Sequence, residues 1–323
     1  MKQISQDLNT GNINIYDTPI PSIKDENLLI KSHVSLISSG TEKMLLSFGK
    51  GNFVDKAQQQ PEKVKEVIKK VKTEGFISTY QAVKGKLNLP LPLGYCNVGE
   101  VIDVGKNVFN FKKGDRVISN GYHAEIVSVP QNLCAHIPQN VENEQAVFTV
   151  IGSIGLQGIR LSNPTFGETF LVSGMGLLGL LTSQILKAHG CIVLGFDTDN
   201  EKCILAEKLG IDCLHLEDGV DPISWCNKKT KGIGVDAAII TASTKSSSPI
   251  DIAAESCRKR GRIVLVGVTG LELKRDLFYK KELSFQVSCS YGPGRYDKNY
   301  EENSNDYPIG FVRWTEQRNF QAI

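Results

Sequence analysis

The sequence has no CxxC pair, and no cysteine sits near a histidine at the spacing of a metal-ligand set. Its eight cysteines, Cys96, Cys134, Cys191, Cys203, Cys213, Cys226, Cys257 and Cys289, are scattered singly. This excludes a zinc-ribbon motif and a disulfide framework and fits a reduced, cytoplasmic chain. The amino terminus MKQISQDLNT lacks an apolar signal core, and the longest apolar stretch, Phe170 to Leu186, is interrupted by Gly, Ser, Thr and Gln. It reads as a buried strand plus helix rather than a membrane span. A strong charge imbalance is also missing, since the formal net charge is +2. Lys63, Lys65, Lys69, Lys70 and Lys72 do cluster, but Val64, Val67, Ile68 and Val71 interleave them at helical spacing. Few aromatics for base stacking lie nearby, so the cluster reads as a solvated helix face. Neither nucleic acid nor membrane is an expected partner, and no repeat or low-complexity tract is present.

At 323 residues with 41% hydrophobic composition, the chain is too long for one ordinary core, which points to two domains. Short β-rich runs dominate the first third: Leu28 to Ile37, Gly99 to Val104, Arg116 to Ser119 and Ala124 to Val129, punctuated by Gly and Pro. A small, mostly antiparallel barrel follows from this pattern. From Asn143 to Leu161 the periodicity is helical. Beyond Gly167 strands (Phe170 to Val172, Ile192 to Phe196, Ala237 to Thr241, Ile263 to Val268) alternate with helices such as Glu201 to Leu209 and Ile250 to Arg258. That alternation predicts a doubly wound parallel sheet with its ligand at the strands' carboxyl ends, an edge that Thr241 and Gly267 would line.

Within it, Val172 to Leu180 reads VSGMGLLGL, a glycine run between a strand (Thr169 to Val172) and a helical pattern (Leu177 to Ala188). Gly174 permits a tight turn, Gly176 lets backbone approach a pyrophosphate, and Gly179 allows close helix-to-strand packing. Met175, Leu177 and Leu178 fill the turn, and the helix start supplies N–H groups and positive dipole to phosphates. Eighteen residues after Gly179, Asp197 ends the next apolar run. A carboxylate there accepts from the adenosine ribose and repels a 2′-phosphate, which favours NAD over NADP. Lys202 faces the same ribose or lies on an exposed helix face. The tail after Ser290, SYGPGRYDKNYEENSNDYPIGFVRWTEQRN, is dense in Tyr, Arg, Gly and Asp. It is either an ordered surface loop or a binding loop, with Arg295 and Arg313 as anion contacts.

The order of parts, with VGEVIDVGKNVFNFKKGDRV in the β-rich third and the glycine turn following, resembles the medium-chain dehydrogenase/reductase superfamily, the alcohol dehydrogenase-like proteins. The resemblance covers nearly the whole chain, most specifically Gly99 to Val117 and Val172 to Lys202. It implies an α/β chain: a GroES-like β-barrel catalytic domain over residues 1–148, a doubly wound parallel-sheet Rossmann domain over 149–288, and an incomplete return segment over 289–323. Family members are commonly homo-oligomers, which is the expectation here.

In the family's zinc enzymes, Cys-Gly-x-Asp and Gly-His-Glu segments carry catalytic metal ligands. Those places read Ser39-Gly40-Thr41-Glu42 and Gly94-Tyr95-Cys96, and FTVIGS near Thr149 offers no third ligand. Only ISNGYH separates Val117 from Ala124, too little for a four-cysteine structural-zinc lobe. The resemblance thus implies a zinc-free member with no metal ligands. Thr41 matches the position where the family keeps a hydroxyl that hands a proton from substrate toward the nicotinamide ribose. Tyr95 either donates a proton to a substrate carbonyl or fills the space left by zinc. Ser39 stands at the lost cysteine, and Cys96 reads as a small buried hydrophobe.

Between Gly40 and Gly94 lie fifty-three residues, more than the family usually has, because a helical insertion over about 48–91 adds the lysine-faced helix and a second, Ile77 to Lys86. With SYGPGRYD, DYP and VRWTEQRN, it resembles a bacterial subgroup in which this module is fused to a sugar-oxidoreductase-like domain, often in envelope polysaccharide synthesis. A fused or associated second oxidoreductase domain is therefore an expected partner. Ile323 falls where a helix should begin, which suggests a fragment or a shortened form. The expected activity is zinc-independent, NAD(H)-dependent interconversion of a small-molecule alcohol and carbonyl. Quinone or enone reduction and a noncatalytic dinucleotide-binding module are the alternatives.

Overall fold

A computed structural model describes residues 1–8, 10–50 and 89–323, so the two helices expected in the insertion lie outside the described residues. The chain divides into two compact units, Met1–Phe148 and Thr149–Ile323.

The first unit is built from β1 (Lys2–Gln6), β2 (Ile13–Asp17), β3 (Asn27–Ser35), α1 (Ser39–Lys50), β4 (Leu91–Pro92), β5 (Asn97–Val104), β6 (Arg116–Ser119), β7 (Ile126–Pro130), β8 (Cys134–His136) and a short α2 (Asn143–Ala146). Two sheets form, ordered β2-β1-β4 and β7-β3-β5-β6-β8, and every pairing is antiparallel. They are joined where Ile4 N–H donates to the His123 carbonyl at 2.8 Å and Glu125 N–H to that of Lys2 at 3.0 Å. Leu28 and Ile30 of β3, Val98 and Val101 of β5, Val117 of β6 and Val127 and Val129 of β7 form the core. Each buried aliphatic side chain of this kind contributes roughly 1.5–3 kcal/mol. The hairpin of β1 and β2 was not expected from the sequence; β2 leaves Ile13 and Ile15 exposed and so lacks a core-facing apolar stripe.

The second unit carries α3 (Thr149–Ser162), β9 (Thr169–Ser173), α4 (Leu177–Ala188), β10 (Ile192–Asp197), α5 (Asn200–Lys208), β11 (Asp212–His215), α6 (Pro222–Lys229), β12 (Val235–Ile240), α7 (Ser248–Ser256), β13 (Cys257–Leu265), α8 (Arg275–Lys281), β14 (Ser284–Val287), α9 (Lys298–Glu301) and α10 (Glu316–Ala322). Its sheet runs β11-β10-β9-β12-β13-β14 and is wholly parallel. The strand order reverses between β9 and β12, the switch point where such sheets bind ligands. Both faces are covered. Leu171, Leu194, Ala238 and Ile240 pack into one apolar cluster, while Phe170, Val172, Val193, Ala237 and Ile239 pack into the other. The period-2 alternation of strands buried on both sides divides them this way.

Several boundaries differ from those read in the sequence. The helical pattern from Asn143 to Leu161 is two helices, separated at Val147 and Phe148. The helix expected to reach Arg258 stops at Ser256, because Cys257 turns extended and opens β13. The strand expected to reach Val268 ends at Leu265. Residues 289–323 group with the second unit, where α10 lies against α3.

Candidate functional site

The glycine turn follows β9. Gly174 has φ +96°, a left-handed conformation that a side chain disfavours, and a Cβ there would lie 2.9 Å from Ala242 Cα. A Cβ on Gly179 would lie 1.8 Å from the Gly174 carbonyl oxygen, so α4 packs directly on the turn. A Cβ on Gly176, in contrast, meets no atom within 4 Å. Gly176 is also the N-cap of α4, so the N–H groups of Leu177, Leu178 and Gly179 belong to a first turn that no carbonyl of their own helix reaches. An open cradle beside first-turn donors fits a diphosphate.

Asp197 is brought to this turn. Its carboxylate accepts the Met175 N–H at 2.7 Å and the Asp199 N–H at 3.0 Å, and only 9% of the residue is exposed. An ionised carboxylate offers about four acceptor positions, so capacity remains for a ribose hydroxyl. The Lys202 ammonium stands 3.7 Å from Asp197 and 3.2 Å from Asp199. Partial burial opposes its charge, but the two aspartates outweigh this and raise its pKa. Thr241 and Gly267 hold the turn in place. The Thr241 hydroxyl faces the Gly174 carbonyl at 2.7 Å and that of Ser173 at 3.0 Å, and a Cβ on Gly267 would sit 2.2 Å from the Ala242 carbonyl oxygen.

The first unit gathers a separate polar cluster at the start of α1. Tyr95 donates its hydroxyl proton to Ser38 Oγ at 2.7 Å, and Thr41 Oγ1 lies 3.3 Å from the Tyr95 hydroxyl. With its one proton committed to Ser38, Tyr95 receives that of Thr41. Burial pushes the Tyr95 pKa above its ordinary value, the Ser38 and Thr41 hydrogen bonds pull the other way, and the charges of Cys96 and Glu42 push it further up. The phenol therefore keeps its proton at neutral pH. Behind it, the buried Glu42 carboxylate accepts the Ser38 N–H at 2.8 Å and meets His123 Nε2 at 3.2 Å, while His123 Nδ1 lies 2.8 Å from Ser35 Oγ. Gly94, at φ +90°, makes this possible, since a Cβ there would be 2.7 Å from the His123 ring.

Thr41 and Tyr95 are thus in contact, whereas Ser39 is exposed and the serine touching Tyr95 is Ser38. Cys96 is fully buried. His123 and Ser38 were not singled out in the sequence. His123 meets Glu42 across 81 residues, a separation at which no local motif exists. Among the described residues, no three His, Cys, Asp or Glu side chains form a metal-holding group, and no helix is long and apolar enough to cross a membrane.

A GroES-like unit preceding a parallel-sheet unit with a glycine turn defines a dehydrogenase-type architecture. Family models for the alcohol dehydrogenase GroES-like domain and for zinc-binding dehydrogenases match residues 64–177 and 178–304. The sorbitol dehydrogenase of Halalkalibacterium halodurans is 25% identical over 290 residues, covering 77% of this chain and 84% of the relative. The alcohol dehydrogenase of Geobacillus stearothermophilus is 29% identical over 250 residues, covering 66% and 73%. Mycobacterial Rv1454c, solved with NADPH, superposes with a TM-score of 0.67 at 21% identity, covering 100% of this chain and 86% of that one. The chain belongs to the medium-chain dehydrogenase/reductase superfamily.

Proposed function

We propose that the protein is an oxidoreductase that interconverts an alcohol and a carbonyl with a nicotinamide dinucleotide, NAD in preference to NADP, and without catalytic zinc. The observation that carries this reading is the Met175–Asp197 hydrogen bond, which ties an acidic group to the open glycine cradle. Gly174 to Gly179 would hold the pyrophosphate and Asp197 the ribose. With Asp199 beside it, Asp197 opposes a 2′-phosphate. When bound, the dinucleotide supplies or accepts hydride.

The first unit supplies the proton. Tyr95 holds one on its hydroxyl, Ser38 and Thr41 fix that hydroxyl's position, and Thr41 donates toward the oxygen from which the proton leaves. To deliver it, the Tyr95 hydroxyl turns its proton from Ser38 to a carbonyl oxygen that gains negative charge as hydride reaches the carbonyl carbon, and the phenolate left behind accepts from the Ser38 and Thr41 hydroxyls. Zinc independence is supported by what stands at the two ligand positions: an exposed serine, Ser39, and a phenol already hydrogen-bonded to two hydroxyls. The sorbitol dehydrogenase relative favours a polyol or sugar-derived alcohol as the substrate class.

Isothermal titration with NADH and NADPH tests the dinucleotide assignment. NADH is expected to bind at least ~10-fold more tightly; tighter binding of NADPH would remove the role given to Asp197.

A further inference from the structure

The arginines of the second unit differ in their partners. Arg258, Arg260, Arg262, Arg295 and Arg318 each form an ion pair, with Asp236, Glu282, Glu168, Glu301 and Asp306 respectively. The sequence offered Arg295 as an anion contact, but its guanidinium is held by Glu301 at 2.6 Å. Arg160 and Arg313 have no carboxylate partner among the described residues, and they meet across one ring. Their guanidinium carbons lie 3.4 Å and 3.9 Å from the Trp314 centroid. Both distances are face contacts, and two guanidinium groups that close on one face would overlap, so they occupy opposite faces.

Arg160 is also pre-oriented. Its Nε donates to Asn319 Oδ1 at 2.9 Å. Asn319, fully buried, donates through Nδ2 to the Tyr291 carbonyl at 2.8 Å and to Gln157 Oε1 at 3.4 Å. This fixes which side of the amide faces Arg160. The two terminal nitrogens of Arg160 have no hydrogen-bond partner among the described residues. Arg318 donates to the Val312 carbonyl at 2.7 Å and so braces the residue before Arg313. Burial, and after it the neighbouring charge of Arg313, push the Arg160 pKa down to about 10. Arg160 lies in the last turn of α3, whose dipole offsets only about half of one elementary charge.

We propose that Arg160, Trp314 and Arg313 form a binding site for a phosphate group, separate from the glycine turn. A tetrahedral dianion at the edge of the indole receives two charge-assisted forks, one from each guanidinium, and neutralises both. The site shares no residue with the dinucleotide turn and stands whether or not that turn binds NAD.

The protein contains two tryptophans, Trp225 and Trp314, so Trp225→Phe leaves Trp314 as sole reporter. Its emission is titrated with inorganic phosphate and, separately, glycerol 3-phosphate, at constant ionic strength set by chloride. A saturable change is expected with at least one probe, weakened ~10-fold or more by Arg313→Gln and by Arg160→Gln. Tighter saturation by the monoester assigns an organic phosphate, and equal or tighter saturation by inorganic phosphate assigns the free ion. Arg313 is exposed, so Arg313→Gln decides the outcome if Arg160→Gln fails to fold by circular dichroism. A linear response that both variants share, or displacement of bound NADH by phosphate at the same concentrations, overturns the proposal.

Discussion

Glu316, at the start of α10, is fully buried, and neither carboxyl oxygen has a hydrogen-bond partner among the described residues. Burial drives its pKa up, the Glu301 carboxylate adds to the rise, and Arg295 offsets part of it, leaving a value of about 9 against an ordinary 4.5. The folded state therefore keeps the proton across the range in which the unfolded chain releases it. Stability from this group is fully present below about pH 4.5 and is lost as pH rises toward about 9. Each pH unit inside that window removes at most ~1.4 kcal/mol, so a rise of roughly three units removes on the order of 2–4 kcal/mol once coupling to Glu301 and Arg295 is allowed for. Glu316→Gln keeps the shape and cannot ionise. Its unfolding free energy relative to wild type should climb by that amount between about pH 5.5 and pH 8.5. Urea unfolding at each pH, followed by tryptophan emission, measures the difference, since Trp225 and Trp314 both lie in the second unit. A difference that does not change with pH, or one that shifts in favour of wild type as pH rises, would refute the reasoning. The former would mean that Glu316 is already ionised in the folded protein, as a partner of Arg295.

Three further outcomes are expected. Gly94→Ala combines a side chain at φ +90° with a Cβ 2.7 Å from the His123 ring and should lower the unfolding free energy by roughly 1–3 kcal/mol, read by chemical denaturation. Tyr95→Phe removes the proton donor and two hydroxyl contacts; turnover of a reducible ketose should fall ~100-fold or more while stability changes by only about 1 kcal/mol. Asp197→Ser should shift the NADH-to-NADPH affinity ratio toward NADPH by at least ~10-fold in titration calorimetry, and an unchanged ratio would dissociate Asp197 from ribose recognition.

The second unit was the more legible in sequence, for a physical reason. Its strands are buried on both faces and its helices pack on them, so apolar runs, glycines and the terminal Asp197 lie in chain order, and α4 runs over the expected Leu177–Ala188. What escaped were the short outer strands. Of β11, Asp212–His215, only Leu214 is buried, and β14, Ser284–Val287, has no fully buried residue and so no strong apolar period. In the candidate catalytic cluster, Thr41 and Tyr95 were found through resemblance, whereas Ser38 and His123 were not. The choice between Ser38 and Ser39 depends on where α1 begins, a matter of one residue. The pairing of His123 with Glu42 depends on strand packing over 81 residues, which no local spacing encodes. Likewise Arg295 and Arg313 looked equivalent in the tail, until folding paired one with Glu301 and set the other on Trp314.

The central claim, proton donation by Tyr95 without zinc, is tested most directly by the rate of NADH oxidation with a ketose substrate before and after exhaustive metal chelation. The rate should be unchanged by chelation and lowered ~100-fold or more by Tyr95→Phe. A rate that disappears on chelation and returns with added zinc would contradict the account.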